Sequence, residues 1–129
     1  MKNKFIVIAL LALFFTNLNA YSTQIKAAHA IGIFHENGKG ENIQHVRKTK
    51  DDYNGICFSK IVVFGKLNNI IPKVKIGNSL GKFIKEIPIY NKHKIKIAKE
   101  ITFKHYNVTK GYIEVRVDKK LYDSKVFVK

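Results

Sequence analysis

Tyr112-Ile113-Glu114-Val115-Arg116-Val117-Asp118 is the stretch on which the fold turns. Ile113, Val115 and Val117 alternate with Glu114, Arg116 and Asp118. A backbone of period two puts the three aliphatic side chains on one face and the three charges on the other. A helix would scatter the same six residues around its axis. The stretch is therefore a strand with one buried face and one wet face.

The same reading extends outward. Towards the C terminus, Lys125–Lys129 is a final strand that turns Val126 and Val128 to one face. Towards the N terminus, the chain turns around Asn107–Gly111. Before that turn, Ile101 and Phe103 alternate with Glu100, Thr102 and Lys104, and Ile95 and Ile97 alternate with Lys94, Lys96 and Lys99. Asn91-Lys92 marks a turn. Lys82–Tyr90 alternates around Ile87 and Ile89 and carries Pro88. Gly77-Asn78-Ser79 is a turn after Ile70–Ile76, where Pro72 indicates an edge or an irregular start. Gly65-Lys66-Leu67-Asn68-Asn69 ends Ile56–Phe64, a β-branched apolar run of the kind found in strands buried on both faces.

Residues 35–55 are polar and turn-rich, with Asn37-Gly38 and Asn54-Gly55, and read as a loop with a short strand at Ile43–Val46. Residues 21–34 fit a short helix or a leading strand equally well. About seven short strands at spacings near ten residues predict one all-β domain over residues 21–129, an antiparallel β-sandwich or barrel.

The chain opens differently. Lys2 and Lys4 precede an unbroken apolar run of 11 residues, Phe5–Phe15, and a polar stretch ending at Ala20. This is the three-part pattern of a secretory signal peptide, residues 1–20, with a cut after Ala20. The run is half the roughly 20 residues that a membrane-spanning helix needs, so no membrane span is expected. The expected location is secreted, extracellular.

The whole chain has 24 basic and 9 acidic residues, a net +15; without Lys2 and Lys4 the figure is 22 against 9, or +13. Such a charge favours an anionic partner. All but Arg47 and Arg116 of the basic residues are lysine. Arginine is the usual bidentate reader of phosphates and base edges, so sequence-specific nucleic-acid binding is not expected. Lys, Ile, Asn, Phe and Tyr also share AT-rich codons, an ordinary source of lysine. Lys73 and Lys75, and Lys94 and Lys96, alternate with aliphatic residues. If their strands share a sheet they form a lysine-covered face, and these four are the candidate polyanion-binding residues.

Little else carries chemistry. Cys57 is the only cysteine. It reads as a small core residue, with an intermolecular disulfide as the sharper alternative. His29, His35, His45, His93 and His105 show no zinc-site spacing, and Gly38-Lys39-Gly40 lacks the spacing of a phosphate loop. No metal, cofactor or catalytic residue is assigned, and no enzyme activity is expected. Asn107-Val108-Thr109 is an N-glycosylation sequon in a predicted turn.

Residues 101–117, ITFKHYNVTKGYIEVRV, resemble the C-terminal hairpin of a family of small secreted insect proteins named after multiprotein bridging factor two, a transcription activator. Phe103-Lys104, the turn glycine Gly111, and Ile113, Val115 and Val117 carry the likeness. The family's Gly-Gly-x-Gly is replaced here by Lys96–Lys99, and His105 stands where Ser is usual. The resemblance implies a secreted β-sandwich-like protein without catalytic residues. The expected function is surface binding of a protein or an anionic polymer, as an extracellular effector of immune or salivary type. The resemblance implies a co-activator as the alternative, and a small secreted hydrolase is the third reading.

Overall fold

The computed structural model describes residues 25–67 and 70–129. The leader and its cut after Ala20 lie outside these residues. Ten strands and no helix make up the described chain: β1 (Ile25–Phe34), β2 (Gly40–Asn42), β3 (Gly55–Gly65), β4 (Lys73–Ile76), β5 (Ser79–Leu80), β6 (Lys82–Tyr90), β7 (Lys96–Val108), β8 (Gly111–Val117), β9 (Lys120–Asp123) and β10 (Phe127–Val128). They form two antiparallel sheets, β2-β1-β3-β7-β6 and β10-β8-β4-β5, with β9 also paired to β8. The expected all-β antiparallel architecture is thus a two-sheet sandwich.

Alternation explains the core. In β8, Ile113, Val115 and Val117 are buried while Glu114 and Arg116 stay half exposed. The second sheet adds Val74, Ile76 and Val128. Ile33, Ile61, Val63, Ile101 and Phe103 meet them from the first sheet. Each such side chain contributes about 1.5–3 kcal/mol on full burial. The packing is tied by polar links. The Ala30 N–H of β1 donates to Asp123 Oδ2 of β9 at 2.9 Å, across the two sheets. The loop after β2 is held by Glu41, whose carboxylate accepts from the Lys50 and Asp51 N–H groups and from the Tyr53 hydroxyl. Burial works to raise the Glu41 carboxyl, but these hydrogen bonds outweigh it and the net shift is downward. Among the described residues no buried side-chain nitrogen or oxygen lacks a partner.

Several expected elements differ. Residues 25–34 are a strand, because pairing with β3 decides what local propensity left open. Ile43–Val46 is not a strand. The strand lies just before it, at β2, and Ile43 is buried as a loop anchor. Ile56–Phe64 is not covered on both faces: Phe58 and Lys60 are half exposed on the outer side. Of the two readings of Pro72 the edge position fails, since β4 is an interior strand between β8 and β5, while the irregular start fits, since Pro72 lies just before β4. Ser79 is not a turn residue but opens the short β5, and β9 is a strand beyond the expected ones. Residues 96–108 form one long strand. Lys94 and Ile95 belong to the turn before it, with Lys94 at φ +65°.

The 101–117 segment is a corner rather than a hairpin. β7 lies in the first sheet and β8 in the second, so Thr109 and Lys110 carry the chain from one layer to the other. Glycine is needed there. A Cβ on Gly111 would lie 2.6 Å from the Gly77 Cα, and Gly77 itself holds φ +59°.

Candidate ligand-binding face

The four candidate lysines do not share a sheet. Lys73 and Lys75 stand exposed on β4 in the second sheet. Lys96 opens β7 in the first, and Lys94 sits in the turn before it. The condition for a common face is not met, because the chain crosses between layers after β4 and β5.

Strand pairing builds a different lysine face. Residues opposite one another in an antiparallel ladder share a side of the sheet. Register across β1, β3, β7 and β6 aligns Phe34, Phe58, Lys104 and Lys82 in one row. The next row aligns Gly32, Lys60, Thr102 and Lys85. Cys57, Ser59 and Ile61 of β3 point inward, so these rows face outward. Four lysines, Lys60, Lys82, Lys85 and Lys104, therefore stand on the outer face of the first sheet.

Aromatic rings lie among them. Phe34 and Phe58 stack with centroids 5.2 Å apart and planes at 6°. The Lys60 ammonium lies 5.4 Å from the Phe34 centroid. The Lys104 ammonium lies 5.5 Å from Phe58 and 5.1 Å from the Tyr106 ring, which is on the same face. Each contact contributes about 0.5–1 kcal/mol at an exposed site and holds the charge in place. Glu100 is 3.7 Å from Lys60 and offsets part of one charge. At the β2 end the face sinks into an open depression of about 380 Å³ lined by Gly32, Phe34, Gly40, Asn42 and Lys60. Gly32 and Gly40 add no side chains, which leaves this space open. A Cβ on Gly40 would collide with Ile33 and Phe34.

The chain matches no protein-family model, no curated protein and no solved structure. Geometry alone therefore carries the functional reading.

A second polar arrangement lies inside. His105 Nδ1 is 3.3 Å from the Ser79 carbonyl, which can only accept, so Nδ1 carries the proton. Nε2 is then the acceptor for the Ser59 hydroxyl at 2.8 Å. The pair has the orientation of a serine and its base. Both residues are fully buried, however, and Gly81 packs so closely that a Cβ on it would meet the His105 ring at 2.7 Å. Burial pulls the imidazole down to about 4, against a smaller opposing pull from the Ser79 carbonyl. Here the pair serves the core. Cys57 lies beside it, paired across the ladder with His105. It is fully buried, and burial pushes its thiol up to about 12. An intermolecular disulfide needs an exposed sulfur, so the core reading of Cys57 is the one this position fits.

Among the described residues no three His, Cys, Asp or Glu side chains converge as a metal site, and no helix is long and apolar enough to cross a membrane. Asn107 is exposed one residue before the end of β7, with φ +53°, so the sequon begins in the strand and not in the expected turn.

Proposed function

We propose that the protein is a secreted, non-enzymatic binding protein that holds an anionic polymer on the outer face of its first sheet. The observation that supports this reading is the double row formed by Phe34, Phe58, Lys104 and Lys82 beside Lys60 and Lys85. Lysines on a β-surface present charge at the strand spacing of about 4.8 Å. Stacked rings between them offer flat apolar area to the uncharged parts of the same polymer. Such binding is mainly electrostatic and weakens with salt.

A heparin column with a salt gradient tests the face rather than the net charge. The variant Lys60→Gln/Lys82→Gln/Lys85→Gln/Lys104→Gln is expected to elute at clearly lower salt than wild type. A charge-matched variant, Lys73→Gln/Lys75→Gln/Lys110→Gln/Lys119→Gln, is expected to elute close to wild type. Equal elution of the two variants removes the reading and leaves only bulk charge. Asn107 is the acceptor for a carbohydrate chain in the same proposal. A mass increase in a glycosylating host, abolished by Asn107→Gln, is the expected sign.

A further inference from the structure

The other unusual surface is the tip where β6 turns into β7. Every residue of β6 except Ile89 is exposed. Ile84, Ile87, Tyr90, Ile95 and Ile97 are all open to solvent, Tyr90 by 58% and Ile95 by 59%. They occupy both strands and the turn, so the apolar surface belongs to the tip as a whole. Apolar patches of this kind on a soluble protein mark an interaction site.

Three features identify the occupant. Lys92, Lys94 and Lys96 surround the tip, and none makes an ion pair among the described residues. The two nearby carboxylates are already held, Glu86 3.0 Å from Lys99 and Glu100 3.7 Å from Lys60. Four N–H donors of the turn are also paired within it, those of Asn91, His93, Lys94 and Ile95. Asn91 N–H donates to the Ile95 carbonyl and Lys94 N–H to the Asn91 carbonyl. The Asn91 side-chain oxygen accepts from the His93 and Ile95 N–H groups. Each donor paired in this way lowers the cost of taking the turn out of water. Isoleucines and a tyrosine at the end, ringed by long lysines that reach back to anionic headgroups, match the requirements of a membrane interface.

We infer that the β6–β7 tip is a peripheral docking element for an anionic lipid surface. A second copy fits less well, because it brings the same uncompensated lysines to the contact. An added protein strand would cover the β6 edge but leave Ile95 and Ile97 of the turn side open. Ile87 faces Glu100 in the row next to Lys85, so the two surfaces adjoin, and separate lysine variants of the tip and of the outer face tell the two proposals apart.

The test uses protein purified as its host processes it, with wild type and variants sharing one N terminus. Each is mixed with sedimenting vesicles of phosphatidylcholine alone or with one-fifth phosphatidylserine. Wild type is expected to pellet only with the serine lipid. Ile87→Asp/Ile95→Asp is expected to lose at least tenfold in partitioning. Lys92→Gln/Lys94→Gln/Lys96→Gln is expected to lose roughly fivefold for each lysine. The outer-face lysine variant should pellet like wild type. Because the chain has no tryptophan, Tyr90→Trp gives an independent reading. Its emission should shift to the blue on serine-lipid vesicles and be quenched by brominated acyl chains. Equal pelleting of wild type and the Ile87/Ile95 variant overturns the proposal, as does an indole emission from Tyr90→Trp that vesicles leave unchanged. So does dimerisation or capture of an acidic peptide by a wild type that ignores vesicles.

Discussion

β8 and β6 begin from similar material and end in opposite surroundings. Both carry β-branched aliphatic residues and charges, in strict alternation in β8 and in a looser order in β6. In β8 the aliphatic face is fully covered, because the first sheet lies across it. In β6 Ile84 and Ile87 remain exposed, because the strand is the outermost of its sheet and pairs only with β7. Period two specifies a strand and its two faces. It does not specify whether anything lies opposite, since that depends on where the chain crosses between layers. Cover is a property of topology, and it separates the packed body from the open arm.

The contrast is sharpest at one aromatic contact. Phe103 and Phe83 meet edge to face with centroids 6.2 Å apart, yet Phe103 is 1% exposed and Phe83 is 37% exposed. Phe103→Ala is expected to cost about 3–5 kcal/mol, and Phe83→Ala less than about 1 kcal/mol. Urea denaturation compares them, and similar losses would erase the boundary between body and arm.

The next effect belongs to the body alone and follows pH. The folded imidazole of His105 titrates at about 4, below its ordinary value of 6.5. The unfolded chain therefore binds a proton that the folded chain refuses between these values. Stability is full above pH 6.5 and falls as pH drops towards 4, by up to roughly 3 kcal/mol. Thermal unfolding across this window should show the slope in wild type and a flatter profile in His105→Gln. Parallel profiles would mean that another group titrates there. Smaller still is the tie between the sheets. Asp123→Ala leaves the Ala30 N–H without its acceptor and is expected to cost about 1–3 kcal/mol. A chevron or equilibrium curve indistinguishable from wild type would show that water replaces the carboxylate freely. The smallest change falls on the arm: Ile87→Ala should shift stability by no more than about 0.5 kcal/mol. A larger loss would mean that Ile87 is covered in solution.

Much of the strand content was legible in the sequence, since side-chain alternation is a local signal. Ile113–Val117 and Lys82–Tyr90 lie within the strands that form there. Pairing was not legible. Lys73, Lys75, Lys94 and Lys96 looked like a set because their spacing matched, but two sit in each half of a molecule whose halves are different layers. Lys60, Lys82, Lys85 and Lys104 share no local pattern. Only the register of β3, β7 and β6 assembles them, and register joins partners as distant in the chain as Phe58 and Lys104. The Ser59–His105 contact escaped for the same reason. A period-two reading of 101–104 carried one step further puts His105 inward, and that was the one available hint. β9 was missed because Lys120–Asp123 is too short to show a period. Asp118 and Lys119, both at positive φ, make the tight return that positions it.

The 43–54 loop has a consequence for the order of folding. Its N–H groups at Thr49 and Tyr53 donate to Phe127 and Lys129, and the Arg47 carbonyl accepts from the Phe127 N–H. The Lys129 N–H donates back to Thr49 Oγ1 across 80 positions of chain. The loop cannot settle until residues 127–129 have been synthesised, so a growing chain has no means of closing it early. Separations this long slow folding.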